Sequence, residues 1–187
     1  MKAPSTDRDA PRPNAAIFTE PTGGRPTVAT IDLEALAHNY REVAGRIGGR
    51  AVLAMVKAQA YGHGAVAVSR KLVSLGVSML GVALVEEGVE LRKAGIVVPI
   101  LVMSPVFPYQ AAAIVQAGLT PVVFNAPFVQ ALSAAAVTAG VRQPVHVKVD
   151  TGMGRLGLLP EDAAVFIPKI AGLPGIVVEG VMTHFAD

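Results

Sequence analysis

Residues 51–64 read AVLAMVKAQAYGHG, an apolar run that ends in a lysine and is followed by a tyrosine, a histidine and two glycines. The run Ala51–Val56 has the length and composition of a buried strand. Such strands seldom end in an unpaired ammonium group. Lys57 is therefore either a lysine with a buried stem and a hydrated head, the commoner case for a lone lysine, or a functional amine.

The pattern of a short apolar run followed by a helical segment repeats along the chain from Thr27 onward. The apolar runs are 51–56, 79–84, 97–102, 120–124, 145–149 and 176–182. Segments with helical spacing separate them, such as 65–75, 86–94 and 108–117. Runs that are apolar throughout, instead of alternating with polar residues, indicate parallel strands that are buried on both faces. The sequence therefore predicts an α/β fold with a parallel sheet.

Two folds are compatible with this repeat, a TIM-type barrel and an open doubly wound sheet. No Gly-x-Gly-x-x-Gly turn follows the first strand, so nothing supports the dinucleotide-binding version of the open sheet. A complete barrel normally takes about 250 residues. The chain has 187 and stops directly after a strand. We therefore predict a parallel (β/α)8 TIM-type barrel that is incomplete, with about six of its eight units present.

The composition narrows the classes of protein. Lys and Arg total 16 against 14 acidic residues, a net charge of +2, so no strong field indicates a nucleic-acid partner. The chain has no cysteine, which excludes disulfides, thiolate metal sites and a catalytic thiol, and is compatible with a cytoplasmic location. No metal site is predicted.

The uncharged stretch 94–141 raises the question of a membrane span. Its prolines divide it into short apolar runs, which favours strands over a spanning helix, and we predict no membrane partner. Residues 1–26 contain five prolines and no apolar segment of the secretory type. We expect them to form a flexible N-terminal extension, and residues 27–187 to form the barrel part.

The candidate site residues stand after the strands. In a TIM-type barrel the chemistry lies at the carboxyl ends of the strands. Lys57 follows the first strand, the segment DTGMGR at 150–155 follows the fifth, and Thr183 and His184 follow the sixth. Desolvation would favour the neutral amine that a Schiff-base lysine requires. These positions predict a site at one rim of the barrel.

The residues after Lys57 are suited to an anionic ligand. Gly62 and Gly64 let the backbone approach a ligand closely, and a helix that begins near Gly64 would direct free N–H groups at a phosphate. The hydroxyl of Tyr61 could add a further hydrogen bond to the same anion. For His63 the residues leave open whether it has a chemical role or packs at the helix start.

Three segments of the chain resemble, in the same order, the three successive signatures of alanine racemase. They are AVLAMVKAQAYGHG at 51–64, HVKVDTGMGRLG at 146–157 and GVMTHFAD at 180–187, and the earlier TIDLEALAHNYR is also similar. The resemblance covers about 27–187. It implies a pyridoxal-phosphate enzyme that interconverts L- and D-alanine and supplies D-alanine for peptidoglycan. The departure is Gln59, where the family usually has aspartate. Because Gln59 is two residues from Lys57, we expect it to share the side of Lys57 on a strand-like path.

The resemblance also implies roles for single residues. Lys57 would bind pyridoxal 5'-phosphate as a Schiff base and carry a proton on one face of the substrate carbon, and Tyr61 would contact the cofactor phosphate. Arg155 would bind the phenolic oxygen of the cofactor and contact the substrate. Lys148 matches a lysine that is often carbamylated and then holds this arginine. His184 would pack beside the pyridine ring.

The resemblance further implies a homodimer, because the second base of the family is a tyrosine from the C-terminal strand domain of the partner subunit. We expect that domain to be absent from this chain, which by itself would then not racemise alanine. Two alternatives stay open at this stage. One is a pyridoxal-phosphate decarboxylase of basic amino acids on the same barrel. The other is a fragment that binds pyridoxal phosphate without turnover.

Overall fold

The computed structural model describes residues 27–187, so the extension expected at 1–26 lies outside the described residues. The chain divides into two compact units at Gly48 and Gly49. In the first unit, helix α1 covers Leu33–Arg46. It begins after Asp32, whose side chain caps it by accepting hydrogen bonds from the N–H groups of Glu34 and Ala35 at 2.9 and 3.0 Å.

The second unit, Gly49–Asp187, alternates strands and helices. Its strands are β1 Leu53–Met55, β2 Met79–Val82, β3 Ile100–Val102, β4 Thr120–Val123, β5 Gln143–Lys148 and β6 Ile176–Met182. Its helices are α2 Lys57–Gly62, α3 Ala65–Ser74, α4 Val85–Lys93, α5 Ala111–Gln116, α6 Ala126–Ala139 and α7 Pro160–Ala171. A 3₁₀ turn at Pro108–Gln110 leads into α5. The six predicted strands and the three predicted helices are thus present, and four of the strands are one to three residues shorter than their apolar runs.

The strands form one sheet in the order β1-β2-β3-β4-β5-β6, and every neighbouring pair is parallel. A doubly wound sheet would reverse this order at a switch point. Crossover connections between parallel strands are almost always right-handed, so a sheet in sequential order carries its helices on one face. This is the arrangement of a (β/α) barrel, and it confirms the predicted fold class, with six units in the described chain.

The core lies on both faces of the central strands. Every residue of β3 and β4 is buried, as the apolar sequence of β3 and the mostly apolar sequence of β4 predict. On the helix side, Leu119 packs so closely on α4 that a Cβ at Gly88 would lie 2.9 Å from its side chain. This packing fixes the helix that follows β2, which matters for the site because α4 contacts α2.

The pairing of β5 with β6 sets the geometry of the rim. The two strands pair from Gln143 with Ile176 to Lys148 with Met182, with an irregularity between Val145 and His146. The pairing extends one residue further, because the N–H of Val149 donates a hydrogen bond to the carbonyl of Met182 at 2.9 Å. The segments that follow β5 and β6 therefore leave the sheet side by side, at the same end as the segment after β1.

No helix within 27–187 has the length and apolar character needed to cross a membrane.

Candidate active site

The segment after β1 is a turn of left-handed helix. Within α2, four consecutive residues that are not glycine have φ between 50° and 55° and ψ between 40° and 52°. They are Ala58, Gln59, Ala60 and Tyr61. The left-handed helical conformation costs an L-residue about 1–2 kcal/mol. Four such residues in sequence therefore indicate a backbone that its surroundings hold in place.

Backbone hydrogen bonds close this turn at both ends. The N–H of Ala60 donates to the carbonyl of Val56 at 2.9 Å, and the N–H of Gly64 donates to the carbonyl of Gln59 at 2.8 Å. His63 adds a side-chain contact, because its Nδ1 lies 2.9 Å from the carbonyl oxygen of Ala60 and 3.1 Å from that of Tyr61. Both oxygens are acceptors, so Nδ1 carries the proton. Of the two roles left open for His63, the structure places it in local hydrogen bonding at the end of α2.

The expectation of a strand-like path through Gln59 is wrong, because Gln59 lies inside the left-handed turn. Its side-chain amide bridges two helices. The Nε2 group donates to both carboxylate oxygens of Glu90 on α4 at 3.1 Å, and Oε1 accepts from the N–H of Ala65 at 3.2 Å. The first N–H of α3, which the sequence had offered to a phosphate, is thus bonded to Gln59. Gln59, which stands where the resemblance leads us to expect aspartate, thus has a hydrogen-bond partner in Glu90.

We expect Gln59→Asp to loosen α2 and not to restore an absent function. An aspartate could still accept from Ala65, but it cannot donate to Glu90 and would place two carboxylates close together. The melting temperature should fall by about 2–5 °C, which corresponds to about 1 kcal/mol for a domain of this size. Glu90→Gln should recover most of the loss in the Gln59→Asp background. Equal melting temperatures for the wild type and Gln59→Asp would contradict the bridge.

The two functional candidates on α2 face each other. The Nζ atom of Lys57 lies 5.9 Å from the centre of the Tyr61 ring, at the outer limit of a cation–π contact. Lys57 is half-buried and Tyr61 is 60% exposed. The left-handed turn thus presents a primary amine beside a phenol ring at the carboxyl end of β1, where a ligand can reach both.

A second group of candidates lines a pocket after β5 and β6. Its lining residues are Lys148, Val149, Asp150, Met153, Arg155, Leu156 and His184. The structure therefore brings together three of the five predicted site residues, Lys148, Arg155 and His184. Lys57 and Tyr61 lie after β1 and are not among the residues that line this pocket.

The glycine-rich segment that carries Arg155 is folded around one carboxylate. Oδ1 of Asp150 accepts hydrogen bonds from the N–H groups of Gly152 and Gly154, both at 3.0 Å. These bonds, the one from Gly154 first, lower the pKa of Asp150. The hydroxyl groups of Thr151 and Thr183 lie 2.7 Å apart and join this segment to the one after β6. The segment is thus a turn that its own hydrogen bonds stabilise and that a further hydrogen bond joins to the segment after β6.

Lys148 is the buried cation of the pocket. It ends β5 and is only 6% exposed. Its burial and the positive charge of Arg155 lower the pKa of its amine, and the carboxylate of Asp150 opposes them in part. Burial and a neighbouring guanidinium both favour the neutral amine, which is the nucleophilic form of a lysine.

The lowered pKa of Lys148 predicts a pH dependence of stability. A folded-state pKa below that of the unfolded chain means that the charged amine costs the folded state free energy. This cost is fully present at pH values below both pKa values and disappears as the pH rises through the folded-state pKa toward 10.5. Lys148→Met should therefore raise the melting temperature at pH 7, and the gain should shrink toward pH 10. The exposed Lys169→Met is the control and should show no such trend. A pH-independent difference would contradict the assignment.

No cluster of three or more side chains suited to a metal ion occurs among residues 27–187.

Comparison with known proteins relates the chain to one family. Residues 31–187 match the family described as alanine racemase, N-terminal domain. Over 164 residues the chain is 44% identical to an alanine racemase of Desulfovibrio desulfuricans, covering 87% of this chain and 44% of that protein. The solved structure of alanine racemase from Clostridium difficile 630 is 34% identical with a TM-score of 0.80, covering 83% of this chain and 41% of that one. The alanine racemase of Streptomyces coelicolor A3(2) is 36% identical with a TM-score of 0.74, covering 83% and 43%.

A sequentially ordered parallel sheet, with an amine after its first strand and a pocket lined by Lys148 and Arg155 after its fifth and sixth, defines an α/β barrel whose candidate site lies at the carboxyl ends of the strands. The chain belongs to the alanine racemase N-terminal domain family. It spans about 44% of the length of the Desulfovibrio relative.

Two residues of the site escape sequence reasoning. Glu87 accepts a hydrogen bond from the N–H of Ala58 at 2.7 Å, and Glu90 accepts from Gln59, although both glutamates belong to a helix about thirty residues further along the chain. As two acidic residues on an amphipathic helix they have the pattern of a solvated face. No local signal in the sequence could have indicated that they contact α2.

Proposed function

We propose that this chain is the N-terminal part of a pyridoxal-phosphate-dependent alanine racemase, which interconverts L- and D-alanine. The observation that carries the proposal is that the three racemase-like segments all follow strands of one parallel sheet and therefore lie at the same rim. Lys57 and Tyr61 follow β1, and Lys148, Arg155 and His184 form a pocket after β5 and β6. Membership of the alanine racemase family supports the racemase over the decarboxylase alternative.

The donors at this rim fit the chemical groups of pyridoxal phosphate. The half-buried primary amine of Lys57 suits an aldehyde, and the guanidinium of Arg155 beside the buried Lys148 suits an oxyanion. Tyr61 would bind the phosphate, and His184 would pack beside the ring. When bound, the cofactor supplies an electron sink for a carbanion at the alpha carbon of the substrate.

The remaining chemistry falls to the residues of this chain and of its partner. The Nζ atom of Lys57 would give and take a proton on one face of the alpha carbon, because racemisation needs a base on each face. Arg155 would orient the substrate beside the cofactor oxygen, with Lys148, in carbamylated form, fixing the guanidinium. The second base would be a tyrosine of a C-terminal strand domain from the partner subunit. We therefore propose a homodimeric cytoplasmic enzyme that makes D-alanine for peptidoglycan.

A second candidate function is cofactor binding without turnover. It needs only the amine of Lys57 beside Tyr61, whereas racemisation also needs a second base, which the first proposal assigns to the partner subunit. In this case the proposed site would bind pyridoxal phosphate through Lys57, and no proton would reach the opposite face of a bound amino acid.

The test is to follow D-alanine formation from L-alanine with the purified chain, alone and after addition of a separately expressed C-terminal portion of a racemase. Cofactor attachment is measured in the same samples by borohydride reduction and mass spectrometry. We expect label on Lys57 in both samples and D-alanine only in the mixture. Label without D-alanine in either sample would favour the binding function. The absence of any label on Lys57 would refute both.

A further inference from the structure

The left-handed turn at α2 needs an external restraint. Its four left-handed residues, Ala58 to Tyr61, follow Lys57 directly, so the direction in which the amine projects depends on the backbone that begins at Ala58. By the usual cost of about 1–2 kcal/mol per residue, this conformation is unfavourable by several kcal/mol in isolation. Backbone hydrogen bonds such as the two that close α2 contribute about 0.5–1.5 kcal/mol each, less than this cost. Contacts from outside the segment are therefore needed to stabilise the left-handed form.

Glu87 of α4 provides a contact at the required place. Its Oε1 accepts the N–H of Ala58 at 2.7 Å, the first N–H after Lys57. Its Oε2 accepts the N–H groups of Ala83 and Leu84, at 2.7 and 3.0 Å, where the chain passes from β2 into α4. One carboxylate thus connects the backbone beside the lysine to the end of the neighbouring strand. A charged acceptor makes stronger hydrogen bonds than a neutral one.

Glu90 provides a second contact one helical turn further along. Residues three apart lie on the same side of a helix, so Glu87 and Glu90 face α2 together. Glu87 bonds the backbone N–H of the first left-handed residue, and Glu90 bonds the side-chain amide of the second, Gln59. Glu86, the neighbour of Glu87 on α4, is exposed. Among residues 27–187, the hydrogen bonds from α4 to α2 come from Glu87 and Glu90 and not from Glu86.

We propose that Glu87 is a positioning residue for Lys57: its carboxylate holds the N–H of Ala58 and thereby fixes the left-handed turn that aims the amine at the rim. The inference rests on the proposed function, in which Lys57 binds pyridoxal phosphate. Glu87 acts through the backbone, because both of its carboxylate oxygens accept backbone N–H groups. An ordinary capping role would account for the bonds to Ala83 and Leu84, but not for the bond to Ala58.

The experiment compares Glu87→Gln with the matched control Glu86→Gln in the full chain. Glutamine keeps one acceptor oxygen, so it cannot serve both Ala58 and the start of α4. The first measurement is the rate at which pyridoxal phosphate labels Lys57, trapped with borohydride and corrected for the folded fraction. A misplacement of about 1 Å can cost up to about 10²-fold in rate, and we expect labelling to slow by about ten- to a hundredfold in Glu87→Gln. It should be unchanged in Glu86→Gln.

The second measurement is hydrogen exchange of single amides without cofactor. Positioning predicts faster exchange at Ala58 in Glu87→Gln, with the amides in the middle of α4 unchanged. A merely structural role predicts that the α4 amides exchange faster together with Ala58, and this result would overturn the proposal. Labelling of Lys57 at the wild-type rate in Glu87→Gln would also overturn it.

Two further arms keep the test decisive. If Glu87→Gln does not fold, Glu87→Asp keeps the charge near the start of α4 but shortens the reach to Ala58, and the same slow labelling is expected. Wild-type labelling in Glu87→Asp would overturn the proposal. If the wild-type chain shows no label on Lys57, the proposed function fails, whereas the exchange of Ala58 still decides whether Glu87 holds the turn.

Discussion

Lys57→Ala is expected to remove cofactor attachment completely and to lower racemisation in the complemented enzyme by at least about 10²- to 10⁴-fold, the usual loss for a positioned acid–base group. The reason is the position of Lys57 directly after β1, with its Nζ atom 5.9 Å from the centre of the Tyr61 ring. No other lysine among residues 27–187 has this position. Attachment is measured by borohydride reduction and peptide mass spectrometry. Turnover is measured as D-alanine formed from L-alanine.

The control for this substitution is Lys93→Ala, at an exposed position at the end of α4. It should retain both attachment and turnover. Undiminished label in Lys57→Ala would show that the amine after β1 is not the attachment point. Label on a different lysine in the wild type would show the same. The pocket after β5 and β6 would then be the place to search, because Lys148 is buried there with a lowered pKa.

Gly157→Ala is expected to have the largest effect on stability. A Cβ at Gly157 would lie 2.7 Å from the backbone nitrogen of Asp150 and 2.9 Å from the carbonyl carbon of Val149. Both are backbone atoms of the segment between Lys148 and Arg155, so neither can rotate away. The φ of Gly157 is also +125°, which L-residues rarely adopt. We expect a loss of about 3–5 kcal/mol in the free energy of unfolding, measured by urea denaturation.

The matched control is Gly154→Ala in the same glycine-rich segment. Gly154 has a φ of +69°, but a Cβ there would meet no atom within 4 Å. Its loss should be limited to the cost of the left-handed conformation, about 1–2 kcal/mol. Equal losses in the two variants would mean that the close approach of Gly157 to Asp150 contributes nothing, and that backbone conformation alone accounts for both.

The fold was predictable because its signal is repeated and local. Each strand is a short apolar run, and runs such as Thr120–Val123 are apolar enough to indicate burial on both faces. The absence of a dinucleotide-binding turn left the barrel as the better interpretation, and the sequential order of the sheet confirms it. The ends of the strands were predicted less accurately, because an apolar residue next to a strand looks the same in the sequence whether or not it pairs with the neighbouring strand.

The site was predictable only in part. The segment 150–155 and His184 could be placed together because both follow strands that pair, and the pocket contains them. The conformation of Gln59 could not be predicted, because four successive left-handed residues contradict the preferences of alanine, glutamine and tyrosine alike. Contacts from Glu87 and Glu90 select this conformation, and such contacts between distant parts of the chain leave no local pattern. Tertiary contacts thus override local propensity at the place where the proposed chemistry occurs.

The dependence of α2 on α4 also has a consequence for the order of events during protein synthesis. Glu87 follows Ala58 by 29 residues and Glu90 follows Gln59 by 31. At a translation rate of about 5–20 residues per second, the lysine-bearing segment would exist for about 1.5 to 6 seconds before Glu87 and Glu90 have been made. The nascent chain can pair β1 with β2 before α4 is complete, but it cannot yet favour the left-handed turn. The amine of Lys57 would therefore acquire its final orientation later than the strand that precedes it.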